Sequence, residues 1–276
     1  MIVKANAKIN IALNIVSKLP NGYHELDMVM LPIDIYDTIK IEETDKDEIE
    51  GFDDLDMESN LMYKALNIIR EEYNIDKKIK IRIEKQIPQQ AGLGGGSSDA
   101  AFVLKALNQM WNLGITDEKL VEIGLKLGAD VPFFIINKPA RVKGIGENVS
   151  PFSIAKPLYG VVVKPCFGFK TSHMFAQVSS YDDKSFEIEK LITALISGLK
   201  IENMDKSALF NDFEEVCDDR IQNIKSNMIV NGASLTVMSG SGSSVVGLVD
   251  SSEKAEKLKR RLEKQYNFVE KFKVIE

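Results

Sequence analysis

Cysteine is scarce in this chain of 276 residues. Cys166 and Cys217 stand far apart and in no metal-ligand spacing, so neither a structural zinc nor a disulfide framework is indicated, and reduced thiols in a cytoplasm are the expectation. A basic surplus is missing too. The 41 acidic and 35 basic residues leave a formal charge of −6, which argues against extended nucleic-acid binding because no surplus cation is left to neutralise phosphates. No apolar run approaches the roughly 18 residues of a membrane span, and the amino-terminal stretch, with Lys4 and Lys8 inside an alternating pattern, does not read as a secretory signal. Repeats and low-complexity tracts are absent as well. What remains is the composition of a soluble globular protein, 44% hydrophobic and 28% charged, long enough for one large domain or two intimate ones.

Glycine, by contrast, is concentrated. Pro88, Gln89, Gln90, Ala91, Gly92, Leu93, Gly94, Gly95, Gly96, Ser97 and Ser98 lead into Asp99. Before them Lys78–Glu84 alternates charged with branched apolar residues, the period of a half-buried strand, and after them Ala100, Ala101, Val103, Leu104, Leu107 and Met110 recur at helical spacing. The element is strand, glycine loop, helix. Its glycines admit positive φ and close ligand approach, while Ser97, Ser98 and Asp99 can offer side-chain oxygens at a helix start suited to phosphate. A Walker loop is excluded, because Ser97 follows Gly96 and no lysine is near. A dinucleotide fingerprint fails as well, since reading from Gly92 puts Ser97 in the last glycine place. From the residues alone the loop is a nucleoside-triphosphate cradle of a third kind or a flexible turn.

The rest of the chain reads as α+β. Strands are predicted over Ile2–Val16 with a break at Ala5-Asn6, over Leu26–Ile35 and over Asp37–Glu42, and a surface loop or edge hairpin over Asp45–Asp56. Ser59 is expected to cap a helix over Asn60–Tyr73, and Thr116-Asp117 one that ends at Gly128. Pro151–Pro157 is the expected boundary between halves, giving domains 1–155 and 156–276. Beyond it, strands at Leu158–Lys164, Leu235–Met238, Val245–Val249 and Asn267–Val274 alternate with helices over Thr171–Val178, Phe186–Ile196, Phe213–Met228 and from Ser251 or Ser252 to Gln265.

Four places could carry chemistry. Asp130, between Gly128 and the apolar Val131-Pro132-Phe133-Phe134, could accept a proton, although locally the commoner task for such an aspartate is an N-cap. Lys8 could place a cation on a transferring phosphoryl group, against the ordinary alternative of a solvated strand lysine. Tyr23 and His24 follow a Pro-Asn-Gly turn and could recognise a planar ring, or simply be exposed. Ser239–Ser243 is a second amide nest or a hairpin turn.

Taken together, the Lys8 strand, Gly92-Leu93-Gly94-Gly95-Gly96-Ser97-Ser98 and Met238-Ser239-Gly240-Ser241-Gly242 resemble, in order, the three motifs of the GHMP kinase superfamily. Ala7-Lys8-Ile9-Asn10, Asn21-Gly22-Tyr23-His24-Glu25-Leu26, Gly128-Ala129-Asp130-Val131-Pro132-Phe133-Phe134 and Gly144-Ile145-Gly146-Glu147 resemble the branch that phosphorylates a diphosphocytidyl-methylerythritol alcohol. The resemblance spans most of the chain. It implies a two-lobed fold, an ATP-binding lobe and a substrate lobe, with the ATP γ-phosphoryl passing to the 2-hydroxyl of that substrate in non-mevalonate isoprenoid synthesis. It implies that Asp130 is the general base, Lys8 its electrostatic partner, and Pro88 to Ser98 the holder of the ATP phosphates. Asn10, Ser239 and Gly240 would face substrate, and Tyr23 and His24 would read the cytosine, with Phe175 on the ring's other face. Mg²⁺ would accompany ATP, held by phosphate oxygens and water, with no metal ligand set in the protein. Gln89-Gln90 departs from the small residues usual at that point. A monomer or weak homodimer is expected. The rival readings are a kinase for another alcohol, such as homoserine or mevalonate, and a relative that binds nucleotide without catalysis; Asp130 together with Lys8 argues against the second.

Overall fold

The computed structural model describes residues 1–51 and 57–276. By compactness the chain gathers into two units, each discontinuous in sequence: Met1–Ala7, Ile35–Gln89 and Gly94–Asn137 form one, and Lys8–Asp34, Gln90–Leu93 and Lys138–Glu276 the other. Two long strands, β1 (Ile2–Lys18) and β2 (His24–Thr44), contribute to both.

In the first unit β1 and β2 are followed by β3 (Glu48–Glu50), α1 (Leu61–Tyr73), β4 (Lys78–Glu84), α2 (Gly95–Met110), α3 (Asp117–Leu127) and α4 (Val131–Ile136). Its strands lie in the order β3-β4-β2-β1. The alternation read in the sequence of β4 is its burial pattern: Ile79, Ile81 and Ile83 are buried, and in antiparallel register with β2 Ile81 faces Ile41 and Ile83 faces Ile39. Met62, Ala65, Leu66 and Ile69 of α1 and Val103, Leu104 and Leu107 of α2 are buried at helical spacing. Each large apolar side chain so buried contributes about 1.5–3 kcal/mol.

The second unit adds β5 (Ala140–Gly144) and β6 (Asn148–Pro151), then β7 (Tyr159–Lys164), α5 (Thr171–Gln177), α6 (Ser185–Ser197), β8 (Phe210–Asn211), α7 (Arg220–Val230), β9 (Leu235–Met238), β10 (Val245–Val249), α8 (Ser252–Leu262) and β11 (Phe268–Lys273). β5 pairs with β2 and β6, and β8 runs parallel to β1. A separate antiparallel sheet has the order β11-β7-β10-β9. Ser251 caps α8 by accepting from Lys254 N, and Ala255, Leu258 and Leu262 form its buried stripe.

Several expectations are corrected. β1 has no break at Ala5-Asn6, because residues 5–15 are all buried whatever their polarity and the Asn6 amide donates to the Ala7 carbonyl. The two predicted strands after Leu26 are one continuous strand, β2. Helix α1 is capped by Asn60, whose side chain accepts from Met62 N, and not by Ser59. β3, within the expected surface loop or edge hairpin, pairs in parallel with β4; residues 52–56 of that stretch lie outside the described residues. The predicted helix over Phe213–Met228 is a short 3₁₀ turn, Asp212–Glu215, followed by α7, because Asp212 is bonded to Asn14 and Ile15 N, and Glu214 to Lys225 and Met238 N. β6 had no counterpart in the sequence reading.

Candidate active site

The glycine loop leaves β4, turns through Gln90 at φ 49 and Gly92 at φ 72, and enters α2 through Gly94 at φ 70. These left-handed positions suit glycine, which lacks the Cβ penalty, and Gln90 is the exception, its side chain packed against Gly168. Gly94 is the N-cap and offers no side-chain oxygen. Of the side-chain oxygens expected at the helix start, Ser97 lies in the first turn of α2, while Ser98 Oγ donates to Asn6 O at 2.6 Å and Asp99 Oδ2 accepts from Lys85 Nζ at 2.8 Å. The first amide groups of α2 have no partner within the helix, an arrangement that suits an anion.

Lys8, 3% exposed on β1, donates from Nζ to Asn10 Oδ1 at 2.5 Å, and its backbone N–H reaches Leu93 O at 3.0 Å. Ser239 Oγ, in the β9–β10 turn, accepts from Asn10 N at 3.1 Å and donates to Gly92 O at 2.9 Å. A Cβ on Gly240 would lie 3.3 Å from Lys8 Nζ. Lys8, Asn10, Gly92, Leu93, Ser239 and Gly240, far apart in the chain, are thus one hydrogen-bonded and packed cluster around an ammonium group. Asn211, which the sequence reading missed, supports it by donating to Met238 O at 2.8 Å and Gly240 O at 2.7 Å.

Asp130 stands half-buried just before α4, in right-handed backbone conformation, and its side chain does not cap that helix. Val131, Phe133 and Phe134 behind it are fully buried. The turn that carries it runs beside the loop: a Cβ on Gly128 would sit 3.6 Å from Ser97 Oγ. The cap alternative for Asp130 therefore lacks the bond that defines it.

The aromatic residues gather less simply. Tyr23 is 60% exposed. His24 is buried, its ring stacked on Phe175 at 4.6 Å and 13°, and Phe175 meets Phe213 edge-on at 4.8 Å. Phe175 therefore joins His24, and among the described residues no ring contact pairs it with Tyr23. Tyr181 lies 6.2 Å from His24, tilted by 36°; no sequence signal singled it out. Burial, helped by the charge of Lys18, holds His24 below the ordinary histidine pKa.

A second group of charges sits under the loop, unread in the sequence. Lys85 bridges Asp37 and Asp99, whose side chains are 0% and 2% exposed. Burial pushes the Asp99 carboxyl up to about 7, with Lys85 pulling it back and Asp37 adding to the rise. Burial works against the Lys85 charge, yet Asp99 and Asp37 more than offset it and hold its pKa above the ordinary lysine value.

Residues 60–138 match the family described as GHMP kinases N terminal domain, and residues 191–267 GHMP kinases C terminal. A 4-diphosphocytidyl-2-C-methyl-D-erythritol kinase of Clostridium beijerinckii is 40% identical, covering 98% of each chain, and one of Clostridium botulinum is 39% identical, covering 96% of this chain and 97% of its own. The chain belongs to the 4-diphosphocytidyl-2-C-methyl-D-erythritol kinase family. A solved 4-(cytidine 5'-diphospho)-2C-methyl-D-erythritol kinase superposes on this GHMP kinase with TM-score 0.85, 28% identity and 99% coverage of both chains. Homoserine kinase from Cytophaga hutchinsonii, at 17% identity, TM-score 0.72 and coverage of 99% of this chain and 95% of that one, shares the fold alone. No helix among the described residues of this GHMP kinase is long and apolar enough to cross a membrane.

Proposed function

We propose that this GHMP kinase transfers the ATP γ-phosphoryl group to the 2-hydroxyl of 4-diphosphocytidyl-2-C-methyl-D-erythritol, a step of non-mevalonate isoprenoid precursor synthesis. The observation that carries the chemistry is the place of Asp130, on a turn beside Ser97 of the glycine loop. Asp130 takes the proton as the substrate O–H bond breaks. The hydroxyl oxygen bonds to Pγ, the bond from Pγ to the bridging oxygen breaks, and its electron pair leaves with ADP. Such transfer asks mainly for positioning and charge stabilisation. Lys8 supplies the cation that the loop itself lacks, and Asn10 holds its ammonium in place. Residues 88–98 would cradle the phosphates. Mg²⁺ travels with ATP and neutralises phosphate charge when bound; its ligands would be phosphate oxygens and water.

Tyr23, with an exposed ring, offers a stacking face for cytosine, and the stacked His24 and Phe175 supply an imidazole edge and a second aromatic wall. Ser239 and Gly240 would close the phosphate region. We assign an N-terminal domain to 1–155 and a C-terminal one to 156–276, and expect a cytoplasmic monomer or weak homodimer with no nucleic-acid partner. The test is phosphorylation of the cytidine alcohol, homoserine and mevalonate by wild type and Asp130→Asn. The expected result is turnover of the cytidine alcohol alone, with kcat lowered about 10²- to 10⁴-fold in the variant. Turnover of homoserine or mevalonate would overturn the substrate, and an unimpaired variant the base.

A further inference from the structure

The Lys85, Asp37 and Asp99 cluster has no part in the chemistry proposed above, yet it touches the chain on both sides of the glycine loop. Asp37 Oδ1 accepts from the backbone N–H groups of Gln86 at 2.6 Å and Ile87 at 2.9 Å, fixing the residues that run into Pro88. Its Oδ2 accepts from Lys85 Nζ at 2.5 Å. The same ammonium donates to Asp99 Oδ2 at 2.8 Å, on the helix that leaves the loop. Asp99 Oδ1 is buried with no hydrogen-bond partner among the described residues, so the carboxyl group is held through Oδ2, where Lys85 bonds it. A Cβ on Gly95 would lie 3.4 Å from Lys85 Nζ and 2.9 Å from Ile87 Cγ2; the first residue of α2 rests directly on the cluster. One ammonium group therefore ties the entering chain to the departing helix.

We propose that Lys85 is a positioning residue for the triphosphate: held between Asp37 and Asp99, it sets the spacing between the two ends of the glycine loop and so aims the amide groups at the start of α2. This rests on reading residues 88–98 as the ATP loop. A purely apolar support would fill the same space but would leave two buried carboxyl groups facing each other without the ammonium that bonds both, which is why removal of the lysine alone is a severe change. Displacement of a binding loop by about 1 Å costs up to roughly 100-fold in a reaction that depends on alignment.

The experiment compares steady-state kinetics and melting of wild type, Lys85→Met, Lys85→Arg, and Lys85→Met combined with Asp99→Asn. In Lys85→Met we expect KM for ATP to rise about ten- to 100-fold, with KM for the alcohol substrate within about twofold of wild type. Adding Asp99→Asn removes one of the two facing carboxyl groups and should bring KM for ATP part of the way back. A lowered melting temperature with unchanged KM for ATP, or an equal rise in both KM values, would reduce the cluster to packing and overturn the proposal. If Lys85→Met does not fold, Lys85→Arg, which keeps the charge but changes its reach, is judged by the same ATP-selective rise. Gly94→Ala separates the two assumptions. Should it raise KM for ATP while the Lys85 variants do not, the positioning role falls alone; should it leave KM for ATP unchanged as well, the loop assignment falls and the proposal with it.

Discussion

Replacing Gly92 by alanine isolates how tightly the loop is built against the β9–β10 turn. Gly92 has φ 72, and an added Cβ would stand 1.9 Å from Ser239 O and 2.8 Å from its carbonyl carbon. Both are backbone atoms, so no flexible side chain can swing away. Gly114 provides the control: its φ is 66, but nothing lies within 4 Å of its Cβ position. The left-handed conformation costs an alanine about 1 kcal/mol at either site. Forcing a methyl group into packed backbone adds about 1–3 kcal/mol at Gly92, for a total of about 2–4 kcal/mol. At about 2 °C per kcal/mol for a chain of this size, calorimetry should show Gly114→Ala melting about 2 °C low and Gly92→Ala about 4–8 °C low. The displaced turn would also disturb the Ser239 Oγ bonds to Gly92 O and Asn10 N, so KM for ATP should rise in Gly92→Ala only. Equal melting shifts in the two variants would refute the close approach of Gly92 to Ser239.

The loop was legible because its signals are local: β4 alternates with period two, α2 repeats at helical spacing, and the intervening glycines occupy the left-handed turns that favour them. β1 misled because alternation of polarity is not alternation of exposure. Asn6, Lys8, Asn10 and Asn14 are all buried with the apolar residues between them, and their hydrogen bonds are made to partners up to 229 positions away. The same distance hides the break before α7, where Asp212 and Glu214 answer to Asn14, Ile15 and Met238 instead of to a helix. Lys8 and Asp130 are legible in the sequence as motif residues. Lys85 is not, since a lysine ending an exposed-looking strand gains its meaning only when Asp37, 48 positions earlier, folds beneath it. Phe175 was named from the sequence, but its stacking on His24 is a tertiary fact.

The aromatic and cationic residues give three further tests. Tyr23→Ala should leave the melting temperature unchanged, as the ring is 60% exposed, while loss of base stacking worth about 1–3 kcal/mol raises KM for the cytidine alcohol roughly five- to 150-fold; an unchanged KM would remove Tyr23 from the site. Lys8→Met should lower kcat about 10²- to 10³-fold, the range for losing one aimed electrostatic donor, and a near-normal kcat would end its assignment. His24 carries a pH dependence whose sign follows from burial first and Lys18 second, both of which lower its pKa beneath 6.5. The unfolded chain then takes up its proton before the native protein does, so the contribution of His24 to stability is complete above about pH 6.5 and is lost as the pH falls below it toward the folded pKa. Stability and affinity for the cytidine alcohol should therefore decline together on that acid limb in wild type and lose this component in His24→Gln. Resonances of the His24 imidazole that titrate above 6.5 would contradict the burial argument, because a ring seated against Phe175 and facing Lys18 has no stabilised charged form.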